Sequence, residues 1–350
     1  MNNVLVIHAG FGEGHKKAAH AVADAIGAST CDLLDFTFPF IKKIYSASYL
    51  ITTQHFPYLW QAAFLSTKNI FFSLLVNWIN ARLFSSFFKY LKQENPKAII
   101  VTHFFVSDLI GIKKQELETK LFSLITDLRV HPLWFNKGVD YYFVALDETK
   151  RDLLKLGVRG DKIATGFVPL RQGFLRSSSR QTLLKKFSLS DRPTILFVSS
   201  LRGRFPFLQE SIAQLTENFN LFIIYGKNKR LKEQLESLNS AHVRFFPFYE
   251  EIWDLMSLSS VIITKPGGLT VFEGIFMKKY FAFTHYIPGQ EKENMDILVK
   301  HGVAKFVQNA GELIEAINYF SQEANKVNKI YSLEVQDVAR SLEDLIQQLS

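Results

Sequence analysis

Short apolar runs separated by amphipathic stretches set the rhythm of this chain. Residues 4–7 read Val-Leu-Val-Ile, apolar at every position. That is the pattern of a parallel strand covered on both faces. Comparable runs fall at 98–102, 121–126, 141–145, 194–198, 221–225, 243–246, 261–264 and 280–283. Helical spacing fills the intervals; after the first run, Ala18, Ala19, Val22, Ala23 and Ile26 line one face. Strands alternating with helices predict an α/β architecture of parallel sheets covered on both sides. A polar, basic stretch over 171–192 breaks the alternation and reads as a linker with a helix at its end. Two Rossmann-like, doubly wound domains are therefore expected, over 1–170 and 171–332. Ligands in such sheets sit at the carboxyl ends of the strands, so the two domains are expected to face a cleft. Near the C-terminus, Val335, Val338, Leu342, Leu345 and Ile346 share one helix face, which predicts a closing helix within 333–350.

Composition narrows the picture. The chain has 350 residues, 47% hydrophobic and 21% charged, enough for two cores and unlike a disordered chain. A single cysteine, Cys31, excludes an intramolecular disulfide and a zinc cluster, and suits a reducing cytoplasm. The first residues lack the basic region of a signal peptide. A net charge of +8 would serve a phosphorylated substrate or an anionic lipid surface. Neither a basic recognition helix nor a zinc-finger spacing points to nucleic acid.

Residues 36–90 are unusually aromatic, from Phe38, Phe40, Tyr45 and Tyr49 through Phe71, Phe72 and Trp78 to Phe84, Phe87, Phe88 and Tyr90. The run 69–88 approaches membrane-spanning length, but Asn77, Asn80 and Arg82 interrupt it, which argues against a span. Two readings stay open. These aromatics close the first core, or part of them dips into a bilayer beside Lys42, Lys43, Lys68 and Lys89.

Two glycine-bearing strand-to-helix junctions carry the chemistry. The first, His8-Ala9-Gly10-Phe11-Gly12-Glu13-Gly14-His15, follows the opening strand. A dinucleotide fingerprint would need a third glycine where His15 stands, and Asp32 and Asp35 are ambiguous as the acidic residue closing a second strand. The second junction is Lys265-Pro266-Gly267-Gly268-Leu269-Thr270, with Glu273 one helical turn further on. Glycines there let backbone N–H groups approach a ligand, and a helix start favours a phosphate. Two more strings stand out: Thr126-Asp127 through His131-Pro132-Leu133-Trp134, and Pro288-Gly289-Gln290-Glu291-Lys292-Glu293-Asn294.

Together these four strings resemble the processive diacylglycerol glycosyltransferases and monogalactosyldiacylglycerol synthases, relatives of the peptidoglycan-precursor N-acetylglucosaminyltransferase. The resemblance implies an inverting enzyme of the two-domain GT-B fold. It would move a hexose from UDP-glucose or UDP-galactose to diacylglycerol at an anionic membrane surface on the cytosolic face, without metal or cofactor. It implies His15 as the base, with Asp127 assisting, and Gly12, Gly14, His131 and Trp134 on the acceptor side, Trp134 meeting lipid. It places Lys265, Gly267, Gly268, Thr270 and Glu273 on the nucleotide, and Gln290, Glu291 and Asn294 on the donor sugar. Relatives carry a glycine-rich loop after the strand at 194–198; here the segment reads Ser199-Ser200-Leu201-Arg202-Gly203-Arg204, so Ser199 and Arg202 would have to hold phosphate through side chains. For Asp127, His131 and Trp134 a purely architectural role is the other reading. For the whole chain the alternatives are a catalytically silent nucleotide- or membrane-binding homologue, and N-acetylglucosaminyl transfer to a polyprenyl-linked acceptor.

Overall fold

A computed structural model of the chain describes residues 3–10, 13–40, 42–43, 82–176, 178–198, 207–238, 240–324 and 333–348. The chain divides into two compact units. One comprises Met1–Gln172, Ile287–Asn294 and Val335–Ser350; the other comprises Gly173–Tyr286 and Met295–Glu334. The short segment at 287–294, which the sequence reading assigned to the second domain, thus groups with the first.

The first unit is built on a six-stranded parallel sheet of β1 (Val4–His8), β2 (Ser29–Asp32), β3 (Ala98–Val101), β4 (Lys120–Leu124), β5 (Tyr141–Val144) and β6 (Ile163–Thr165), in the order β2-β1-β3-β4-β5-β6. Register aligns Val4 with Ala98 and Leu5 with Ser29. Side chains alternate across a strand, and both faces are covered. Leu5, Ile7, Ile99 and Val101 face a core closed by Phe84, Phe87, Phe88 and Leu91 from the helix region at 84–94, and by Val106, Leu109 and Ile110. Val4, Val6, Ala98 and Ile100 face the opposite way, onto Ala19, Val22 and Ile26 of helix Glu13–Ile26 and onto Val338, Ala339, Leu342 and Ile346 of helix Val338–Gln347. Burying each large aliphatic side chain contributes about 1.5–3 kcal/mol, so the last helix is an integral wall of this core. A two-stranded pairing of β7 (Phe167–Val168) with β14 (Gln336–Asp337) leads into it.

The second unit holds β8 (Thr194–Val198), β9 (Asn220–Ile224), β10 (Val243–Phe246), β11 (Ser259–Thr264), β12 (Tyr280–Phe283) and β13 (Ala304–Phe306), all parallel in the order β10-β9-β8-β11-β12-β13. Helix Gly268–Phe276 lies close on this sheet. A Cβ at Gly274 would stand 2.4 Å from the Phe281 ring, so only glycine allows that approach.

All nine strands expected from apolar runs are present. Of the five that were not expected, β2, β6 and β13 lie at edges of the six-stranded sheets, and β7 and β14 pair with each other. Edge strands bury less, and β2 reads Ser-Thr-Cys-Asp with only partial burial, so no apolar run announces it. The aromatic segment resolves in part. Phe84, Phe87 and Phe88 are core, whereas Phe38 and Phe40 are 71% and 70% exposed. Phe71, Phe72 and the other aromatics at 44–81 fall outside the described residues. Among the described residues no helix is long and apolar enough to cross a membrane.

Candidate functional site

Strand order decides where each sheet can hold a ligand. In the first sheet the chain passes from β1 outward to β2, then returns to β3 on the other side of β1. The crevice beyond the carboxyl ends of β1 and β3 is therefore a topological switch point. His15 sits there, in the first turn of helix Glu13–Ile26. Its Nδ1 lies 2.8 Å from the Thr102 carbonyl oxygen, just past β3, and 3.0 Å from the Thr126 hydroxyl, just past β4. The Thr102 hydroxyl in turn donates to the His15 backbone carbonyl at 3.0 Å. Residues 87 and 111 positions apart thus hold one imidazole.

Besides His8, which ends β1, His15, His103 and His131 lie at these strand ends, and hydrogen bonds separate the last three. His103 uses Nδ1 to accept the Phe105 backbone N–H at 3.1 Å, capping helix Phe104–Ile112. His131 accepts the Leu133 N–H at 3.3 Å and caps the turn Pro132–Trp134 in the same way. An accepting Nδ1 puts the proton on Nε2, so in these two rings Nε2 is a donor. A carbonyl cannot donate, so His15 must carry its proton on Nδ1, leaving a lone pair on Nε2. Burial pulls the His15 pKa down to about 4, against the opposing pull of the Thr102 bond, so the ring is neutral near pH 7. Burial and the neighbouring His15 also hold His103 well below the usual histidine value. The His103 ring packs edge-on against His15 at 4.5 Å.

Asp127 lies next to Thr126 in sequence and reaches the other way. Its carboxyl accepts from Gln290 Nε2 at 3.0 Å and from Asn294 Nδ2 at 3.4 Å, and Asn294 Oδ1 accepts the Leu128 N–H at 2.8 Å. Burial raises the Asp127 pKa to about 7; the Asn294 bond opposes the rise, and Glu293 and Glu291 add to it. Glu291 accepts the Ile287 N–H at 2.8 Å and holds the turn before helix Gln290–Lys300. The sequence expectation places Asp127 beside the base, and Gln290 and Asn294 with the donor sugar. The structure joins all three in one buried cluster, a link across 163 and 167 residues that no local pattern announces.

Other expected residues fall as follows. Gly14 is exposed with open space around it, and Gly12 lies outside the described residues. Trp134 is fully buried against Phe104, so the expectation that it meets lipid is corrected: its whole surface is core. Asp32, ambiguous in the sequence, does close β2. Its Oδ1 accepts Gly10 N–H at 2.9 Å and Leu34 N–H at 3.0 Å, which occupies it with backbone. Beside it a pocket of 370 Å³ is lined by His8, Lys16, His20, Cys31, Asp35 and Lys42, among others. Cys31 is no nucleophile there, since burial and the two aspartates push its thiol to about 12. Among the described residues no group of three His, Cys, Asp or Glu side chains is placed to hold a metal ion.

In the second sheet the switch point lies between β8 and β11. Helix Gly268–Phe276 starts directly beyond β11 with Gly267 as its N-cap. Lys265, Gly267, Gly268 and Thr270 are half-buried around that start, whereas Glu273 is buried, one turn along. Ser199 and Arg202, after β8, lie outside the described residues.

The comparisons with known proteins agree with this architecture. A family model described as monogalactosyldiacylglycerol (MGDG) synthase matches residues 15–169, and one described as the glycosyltransferase family 28 C-terminal domain matches residues 202–347. The processive diacylglycerol beta-glucosyltransferase of Bacillus cytotoxicus is 26% identical over 93% of this chain and 87% of its own. The crystal structure of MurG from Acinetobacter baumannii superposes with a TM-score of 0.60 at 17% identity, covering 99% of both chains. Anabaena Alr3699/HepE, solved with UDP and glucose, gives 0.57 at 15% identity over 100% of this chain and 99% of that one. The two structural likenesses establish the fold: paired parallel six-stranded α/β sheets of GT-B type.

Proposed function

Since the chain belongs to the monogalactosyldiacylglycerol synthase and family 28 glycosyltransferases, we propose that it transfers a hexose from a UDP-sugar to diacylglycerol with inversion at the anomeric carbon. The observation that carries this reading is the placing of His15: an imidazole at the first switch point, tied through Nδ1 so that its Nε2 lone pair is left out of the anchoring bonds. General-base catalysis needs that lone pair at neutral pH.

In the reaction, Nε2 takes the proton from the acceptor hydroxyl. The oxygen attacks the anomeric carbon from the side opposite the leaving group, and the bond from that carbon to the UDP oxygen breaks. UDP leaves with the electron pair, so an α-linked donor yields a β-glycoside. The charge growing on the diphosphate is met by backbone N–H groups at the start of helix Gly268–Phe276, with Thr270 and Lys265 as added donors. Glu273 takes ribose hydroxyls. Diacylglycerol lies in a membrane, and the exposed Phe38 and Phe40 with the exposed Lys43 provide an apolar, basic surface suited to one, while the Lys42 ammonium is paired with Asp35 and Asp32. The Bacillus relative's name supports the acceptor, and the UDP and glucose in the Anabaena structure support the donor class.

The test is direct. The protein is incubated with labelled UDP-glucose, UDP-galactose or UDP-N-acetylglucosamine and diacylglycerol vesicles, and lipid-bound label is counted. Transfer from a UDP-hexose is expected, lost in His15→Ala while UDP binding persists. If no UDP-hexose labels diacylglycerol, the proposal fails; transfer confined to N-acetylglucosamine on a polyprenyl acceptor would redirect it.

A further inference from the structure

We infer that Thr126 is a positioning residue for the base: with the Thr102 carbonyl it holds His15 as the Nδ1–H tautomer and keeps the Nε2 lone pair turned to the reaction. The inference rests on the reading of His15 as the base and adds how that base is set. The Thr102 oxygen, 2.8 Å from Nδ1, accepts the ring proton; the Thr126 oxygen, at 3.0 Å, is a second acceptor for the same N–H. The Thr102 carbonyl oxygen, 3.5 Å from the Thr126 hydroxyl, is the acceptor within reach of that hydroxyl's own proton, so the Thr126 oxygen can accept from the ring. A third tie, from the Thr102 hydroxyl to the His15 carbonyl, fixes the backbone from which the ring projects.

This arrangement does what the carboxylate does in a Ser-His-Asp triad, but with neutral groups. When Nε2 takes the acceptor's proton, the ring gains a positive charge shared with Nδ1–H. Both acceptors of that N–H then bind more strongly, so their contribution grows toward the transition state rather than in the ground state. A neutral orienting pair also leaves the free enzyme's imidazole unprotonated, whereas a carboxylate at 3 Å would favour imidazolium. Thr126 is therefore distinguished from an ordinary buried threonine by what its oxygen faces. On His103 and His131 a backbone N–H donates to Nδ1 instead.

The experiment compares Thr126→Val, which keeps the shape and removes the oxygen, with Thr126→Ser, which keeps the oxygen. Long-range ¹⁵N–¹H spectra of histidine-labelled protein report the His15 tautomer without any substrate. We expect the Nδ1–H form in the wild type and in Thr126→Ser, and a mixture of tautomers in Thr126→Val. In turnover assays, kcat should fall about tenfold in Thr126→Val with donor KM unchanged, short of the ~10²–10⁴ expected for losing the base itself. Thr126→Ser should stay within about twofold of wild type. An Nε2–H tautomer in the wild type, a Thr126→Val enzyme at wild-type kcat, or equal losses in both variants would each overturn the inference. If the spectra behave as expected but no glycosyl transfer is found, the ring is set as inferred and the proposed reaction is the part that fails.

Discussion

Replacing Asn294 by alanine should destabilise the first unit, and by more at pH 8.5 than at pH 6. The side chain is 1% exposed and serves both neighbours: it accepts the Leu128 N–H at 2.8 Å and donates to Asp127 at 3.4 Å. Removing it leaves a buried amide without that acceptor, a cost of about 1–3 kcal/mol at either pH. The pH-dependent part comes from Asp127, whose folded pKa is about 7 against an ordinary 3.8. Because the folded value is raised, the folded state binds the proton more readily. The group's contribution is therefore complete below about 3.8 and is lost as pH rises through about 7. Asn294 donation opposes the rise, so the variant's folded value goes higher still. At pH 6 the carboxyl is protonated in both folded proteins and the term cancels. At pH 8.5 it is ionised in the wild type at less cost than in the variant, and each added pKa unit contributes about 1.4 kcal/mol. Hydrogen exchange of peptides covering 120–135 in a urea series reads this unit whatever the other does. A destabilisation that is equal at the two pH values, or smaller at pH 8.5, would refute the account of Asp127.

Three further outcomes are expected. Leu342→Ala, in the helix that walls the first core, should lower stability by about 2–5 kcal/mol in the same assay; a change under about 0.5 kcal/mol would mean the helix is dispensable there. With a His15 pKa near 4, the acid limb of kcat/KM should fall near pH 4; stability from this group is present above about 6.5 and drains as pH drops toward 4, and a limb at 6.5 would contradict the buried ring. Phe38→Ser with Phe40→Ser should reduce sedimentation with anionic vesicles without shifting the unfolding midpoint, and the binding left should still weaken with salt because the exposed Lys43 remains; unchanged sedimentation would remove these rings from any membrane contact.

What was legible in the chain is what short-range pattern encodes. Central strands announce themselves because burial on both faces demands an apolar residue at every position, as in 4–7 and 261–264. The glycine junctions and the closing helix show through the same local rules. Edge strands such as β2 escaped because burial on an edge is incomplete. Trp134 was misplaced because an aromatic in a loop-like string looks the same whether it faces lipid or core, and only the packing against Phe104 tells them apart.

The sequence by itself determined the central strands, which junctions can approach a phosphate, and that a histidine closes the first of them. Only the tertiary structure decided what that histidine is. Strand order brings Thr102 and Thr126 to His15, and brings Gln290 and Asn294 to Asp127, across separations of 87 to 167 residues. Tautomer and pKa follow from those partners and from burial. A side chain's own identity supplies a titratable group, and the long-range packing around it sets which proton that group holds.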